Sequence, residues 1–358
     1  MRKAIYINGF ACIAPQPVFG LQSFPEVMQV FPGNDLRATD PDYKKYVNPV
    51  AIRRMSRVVK MGLSCAKETL NMAQIEKPDA IIMGTGLGCM EDTEKFLQVI
   101  IDEDEKVSAP TPFISSTHNS VAAQIGLHLK CLGYNFTYVH KGFSLHSALL
   151  DASMQIELGQ AQHVLAGGID ENTESKFRHY GLIGWWKNDI PSNKELYSLS
   201  DSPGTISGEG AACFLLSSEK AAHSHVQLLA THSVFSKPDI QHLENELVDL
   251  LHANNLRIED IDLFISGFSG DSAESETYSY FENIMSENTQ IARFKHLSGT
   301  FYTCDIFAVW MACIALETQK IPDYTLFKKG NSTGFKHVLI YNANQQLSHV
   351  FHLLKYVD

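Results

Sequence analysis

The chain has 358 residues, 44% of them apolar and 19% charged, with a formal net charge of −11. That size and apolar fraction suit a large folded core in two domains or one duplicated unit, and the acidic balance argues against general nucleic-acid binding. No apolar run reaches the roughly 18 residues of a membrane span. The short alternating run in "MRKAIYINGFACIAPQ" does not read as a signal peptide. The 7 cysteines are scattered without CxxC spacing, so neither a zinc site nor a disulfide framework is indicated. A reducing cytoplasm is the expected compartment.

Ala4 to Ile7 reads as a strand. "NPVAIRRMSRVVKMGLSCAKETLNMA" predicts one helix, with Asn48 as N-cap and Pro49 in the first turn. Asp79 to Gly88, "DAIIMGTGLG", is a buried strand entering a glycine loop that is too short for a nucleotide fingerprint. Phe136 to Val139 is a further strand, stopping at Lys141-Gly142. An amphipathic helix follows from near Ser144. It carries Leu145, Ala148, Leu149, Ala152 and Ile156 at helical spacing and is closed by Gly159. His163 to Ala166 is the next strand and ends in Gly167-Gly168. A strand handing over to a helix is a common place for chemistry, because helix N-terminal amides stabilise negative charge. Gly142, at that handover, has no side chain to react.

The second half repeats this order. His225 to Phe235 stands where the first strand stood, and "QHLENELVDLLHANNL" is a helix. Asp260 to Gly270, "DIDLFISGFSG", repeats the strand and glycine loop. "DIFAVWMACIALETQ" is a helix with Ile306, Val309, Trp310, Cys313 and Leu316 on one face, and "HVLIYN" mirrors "HVLAGG". The pattern predicts a duplicated α/β unit whose halves meet between residues 218 and 225.

Five stretches in this order resemble the β-ketoacyl synthases of the thiolase fold, nearly end to end. They are "RRMSR" (Arg53 to Arg57), "THNSVAAQIGLHL" (Thr117 to Leu129), "SGEGAACFLL" (Ser207 to Leu216), "GDSAE" (Gly270 to Glu274) and "KHLSG" (Lys295 to Gly299). The resemblance implies a five-layer α/β/α/β/α fold with halves at 1–220 and 221–358. It also implies a cysteine that takes the acyl chain as a thioester, and two histidines that stabilise the enolate formed on decarboxylation. Counted back from Ala166-Gly167-Gly168, the cysteine position falls on Gly142. The first histidine position falls at or beside Gly267, and the second on Thr300. All three side chains are missing. Lys295, Asp271, Glu274 and Gly299 keep the family's framework, and "NANQQ" (Asn342 to Gln346) replaces its glycine-rich gating loop.

This pattern is similar to the chain length factors, cysteine-less relatives that pair with an active ketosynthase in polyketide, aryl-polyene and related pathways. The resemblance thus implies a subunit that is inactive alone and needs no cofactor or metal. Its partners would be an active β-ketoacyl synthase and an acyl carrier protein bearing a phosphopantetheine-linked chain. The subunit would help shape the acyl tunnel for polyketide, polyene or fatty-acid-type elongation. Phe113, Ile114, His118, Asn119, His140 and Phe143 are the tunnel or interface candidates. Lys295 and Glu274 are expected to form an ion pair. Arg53, Arg57 and Lys60, on one helix face, could meet an acidic carrier or form a solvated face. The alternative is an acyltransferase or thioesterase of altered chemistry using Ser144 or Cys304. Against it, Ser144 and His146 point to different sides of their helix, and Cys304 fits a buried structural thiol.

Overall fold

The computed structural model describes residues 3–53, 55–106, 110–237 and 239–358. In the first half β1 (Ile5–Ile13) leads to the short α1 (Pro49–Ile52), α2 (Arg57–Ala73), β2 (Ala80–Thr85) and α3 (Met90–Asp102). Then come α4 (Pro110–Ser115), α5 (Ser120–Leu129), β3 (Asn135–Val139), α6 (Ser144–Glu157), β4 (His163–Asp170), α7 (Glu174–Leu182) and β5 (Gly210–Ser217). The second half runs β6 (Val226–Phe235), α8 (Ile240–Ala253), β7 (Leu263–Ser266), α9 (Ser275–Ile284), β8 (Gln290–Arg293) and α10 (Lys295–Ser298). It closes with α11 (Asp305–Thr318), β9 (Leu326–Lys328), β10 (His337–Asn344) and β11 (Ser348–Tyr356).

The strands form one hydrogen-bonded sheet in the order β3-β2-β4-β5-β1-β6-β11-β10-β7-β8-β9. Read outward from the middle, β1-β5-β4-β2-β3 matches β6-β11-β10-β7-β8, and the parallel and antiparallel pairings match step for step. Among the described residues, the strands of the two half-sheets pair where Ile5 and Tyr6 of β1 meet Leu228 and Gln227 of β6.

Alternation along the strands builds the layers. Ala212, Phe214 and Leu216 of β5 face one cluster with α6 and α11, while Ala211, Cys213 and Leu215 face another with α2 and α5. In β10, Val338 and Ile340 join the α6/α11 cluster, and Leu339 and Tyr341 join α8 and α9. The result is helices, sheet, helices, sheet, helices, which is the five-layer arrangement. The central layer explains α11. All of its residues from Asp305 to Leu316 are buried, rather than one face, because sheets cover it on both sides.

One expected helix is two. Asn48 does cap the first turn, accepting from the N–H of Val50, but the helix stops at Ile52 and α2 begins at Arg57 behind Ser56. Ser56 has extended backbone (φ −64°, ψ 161°), as an N-cap residue does. Arg53 therefore does not share a helix face with Arg57 and Lys60, and Arg54 lies outside the described residues.

Candidate functional site

Of the three positions where the family's reactive groups are expected, Gly142 and Gly267 follow the strands β3 and β7, and Thr300 lies between α10 and α11. Gly142 sits in a 3₁₀ turn (Lys141–Phe143) directly before α6. A Cβ there would lie 2.6 Å from Asn344 Cβ and 3.2 Å from Ser348 Cβ, inside contact distance. Gly267 follows β7 and donates its N–H to Tyr341 O (2.8 Å). The side-chain oxygen of Asn342 occupies the space its Cβ would need. Thr300 donates to Thr205 Oγ1 (3.0 Å), whose own hydroxyl donates to Ser269 O (2.7 Å). Asn342 links the group to α11, donating from Nδ2 to Cys304 Sγ at 3.8 Å.

The retained framework is structural in character. Asp271 caps a short turn by accepting from the N–H of Ala273 (3.0 Å). Gly299 adopts φ +68° and packs against the backbone of Ser207 and Gly208, where "SGEGA" enters β5. The expected Lys295–Glu274 pair does not form by contact. Half-buried Glu274 instead accepts from Ser269 Oγ. Burial raises the Glu274 carboxyl, and the more distant charge of Lys295 offsets part of that rise. Lys295 itself is buried.

The alternative nucleophiles are engaged or covered. Ser144 Oγ donates to Thr85 O and accepts from the N–H of His140, both at 2.8 Å, so its proton points at a carbonyl rather than a base. His146, on the other side of the helix, bonds through Nδ1 to Thr231 Oγ1 (2.8 Å). Cys304 is fully buried, and burial pushes its thiol up to about 11, so it carries little thiolate at neutral pH.

The tunnel candidates fall into two groups. Ile114 and Asn119, with Met55, Ser56, Val59 and His128, line a groove of about 490 Å³ beside α2 and α5. Phe113 is exposed and packs on Phe96 (5.2 Å between centroids), and His118 lies against Gly88. His140 and Phe143 stand elsewhere, in ring contact with each other at 5.3 Å, with Phe143 meeting exposed Phe235 at 6.3 Å. Arg57 is not free for a carrier. It pairs with the buried Glu209 of "SGEGA" (2.7 Å) and with Asp40 (2.8 Å). Lys60 lies over the Tyr43 ring.

Sequence reasoning missed two features. Asp170 ties the halves together, accepting from Thr85 Oγ1, the Gly86 N–H and, across the molecule, the N–H and Oγ1 of Thr303. A buried chain also runs from His146 through Thr231 to His352 Nδ1 (2.8 Å), and from His352 Nε2 to Asp305 Oδ2 (3.1 Å). Asp170 directly follows the Gly-Gly-Ile of β4 and could have been noticed. The chain joins residues 146 and 352 and leaves no local signal. Among the described residues, no three His, Cys, Asp or Glu side chains are placed to hold a metal, and no helix is long and apolar enough to cross a membrane.

The fold is the thiolase fold of the ketosynthase type. The family described as "Beta-ketoacyl synthase, N-terminal domain" matches residues 32–222, more than half of the chain, and the chain belongs to the β-ketoacyl synthase family. It is 23% identical over 241 residues to the 3-oxoacyl-[acyl-carrier-protein] synthase 2 of Mycobacterium leprae, a match covering 62% of this chain and 57% of that protein. The chain thus spans little more than half the length of this curated relative. Among solved structures it superposes on the ishigamide ketosynthase/chain length factor with a TM-score of 0.82 at 15% identity, covering 100% of both chains. It also superposes on a chain of the ketosynthase from Xenorhabdus doucetiae in complex with its chain length factor. That TM-score is 0.75 at 14% identity, over 99% of this chain and 98% of that one.

Proposed function

We propose that this protein is a non-catalytic ketosynthase homologue of the chain-length-factor type, divided near residue 220 into two thiolase-like halves. It pairs with an active ketosynthase that condenses malonyl units on an acyl carrier protein, and it forms part of the tunnel wall. The observation that carries this reading is the joint replacement at Gly142, Gly267 and Thr300, two of which have the space for a side chain filled by Asn344 and Asn342. No thiolate and no pair of imidazoles can act there. The groove lined by Ile114 and Asn119 is the candidate wall.

Three measurements test the proposal. The purified chain alone should neither decarboxylate malonyl-carrier nor condense it with an acyl primer, and co-expression with a ketosynthase should yield a stable heterodimer by light scattering. In that heterodimer Ile114→Ala should shift products toward longer chains with similar turnover, since apolar walls sense length at roughly 0.8 kcal/mol per methylene. Condensation by the wild-type chain free of any ketosynthase refutes the proposal.

A further inference from the structure

We infer that the turn joining β10 and β11 is a fixed stopper that closes this subunit's vestigial pocket, and that Asn344 is the residue that requires glycine at position 142. The inference rests on the non-catalytic reading above and adds to it. The pocket is closed as well as emptied, so an acyl chain growing on the partner ends at this face instead of entering it.

Four observations carry it. The two strands pair to their ends, Asn344 opposite Ser348, and these two residues enclose the site of a Cβ on Gly142. The turn is held in a backbone that few side chains adopt, with Gln345 at φ +53° and Gln346 at φ +54°. Three neighbours hold it there. The Ala343 N–H donates to Tyr278 Oη (2.7 Å), Gln346 Nε2 donates to Ala273 O (2.8 Å), and the Ser236 N–H donates to Leu347 O (3.1 Å). Asn342 and Asn344, at the end of β10, are both buried and lie against Gly267 and Gly142, two of the lost reactive positions.

The test is a double-mutant cycle on the chain alone, followed by thermal unfolding. Gly142→Ala should lower the melting temperature by about 2–4 °C, as overpacking a filled site does in a chain of this size. Adding Asn344→Gly should recover most of that loss, which makes the pair non-additive. Additive losses overturn the inference. A second measurement uses Gly142→Cys with iodoacetamide. All seven native cysteines are buried, so labelling of the folded protein starts from a low background. Cys-bearing protein should be alkylated much faster with Asn344→Gly than without it, and equal rates count against the stopper. If the cysteine variant does not fold, the alanine cycle decides. No ketosynthase enters either measurement, so failure of the heterodimer reading and failure of the stopper are told apart.

Discussion

Gly299 is held at φ +68° and ψ −177°, a region open in practice to glycine alone, and the Ser207 carbonyl leaves no room for a Cβ. Gly299→Ala should therefore destabilise the fold by about 2–4 kcal/mol, read as a lower urea midpoint with an unchanged slope. A midpoint within error of wild type would mean that the loop relaxes freely. This glycine was singled out in the sequence, as were Gly142 and Gly267. The neighbours that make two of them sterically necessary were not, because Asn344 lies about two hundred residues from Gly142 and nothing local links them. The same distance hid the partner of Arg57. Read as a surface charge, it is bound to Glu209, and the two belong to separate motifs.

At the scale of elements, α6, β6, β11 and α11 are joined by the chain His146–Thr231–His352–Asp305. Read with Nε2 of His352 donating to Asp305, the Thr231 hydroxyl donates to His352 Nδ1 and accepts from His146 Nδ1. His146 Nδ1 then carries a hydrogen, and the charge of the ring depends on Nε2. That ring is pushed down to about 3, first by burial and then by the nearby His352, His232 and His140. In the unfolded chain the same ring takes up a proton near pH 6.5. Stability from this group is thus complete above pH 6.5 and is lost as pH falls toward 3, at about 1.4 kcal/mol per pH unit. His146→Asn can keep the donor to Thr231 without the titration. Its unfolding free energy should fall less steeply than wild type between pH 6.5 and 4, and parallel curves would contradict the lowered His146 value. Many of the elements were legible: period-two and helical spacing placed β1 to β4, β6, β7 and β10 and the helices α2, α6, α8 and α11, while α3, α7, α9, β8, β9 and β11 left no such sign. The break before α2 and the burial of α11 on all sides were not legible, because both depend on what packs against the helix.

At the scale of the molecule, β3 is a free sheet edge. Tyr134, Phe136 and Val139 on and beside it are each more than two-fifths exposed, with Leu127 of α5 and Met154 of α6 also open to solvent. The rings of Tyr134, Phe136 and Tyr138 contact one another in sequence, and both tyrosine hydroxyls donate to Asp151, so this edge is preordered. An ordered apolar edge left open invites aggregation, and on the proposed pairing the ketosynthase covers it. Phe136→Asp should leave the lone chain folded, since the residue lies on an edge strand and outside the buried core. It should weaken the heterodimer by roughly 30-fold or more, as loss of an aromatic anchor does. Light scattering of the co-expressed pair reads this directly, and unchanged association would place the interface elsewhere.

The antiparallel partner of β1, β5, begins only at Gly210, and the other neighbour of β1 is β6. During synthesis the apolar stretch IYINGFACI must therefore wait for about two hundred further residues. At roughly 5–20 residues per second that is on the order of 10–40 s without its strand partners. Helix α2 is complete long before then and can shelter one face of the waiting strand, through packing such as that of Ala73 beside Gly9. The order of synthesis thus leaves β1 without its strand partners until β5 is made, and a nascent chain stalled before residue 210 should be a strong client of hydrophobic-strand-binding chaperones.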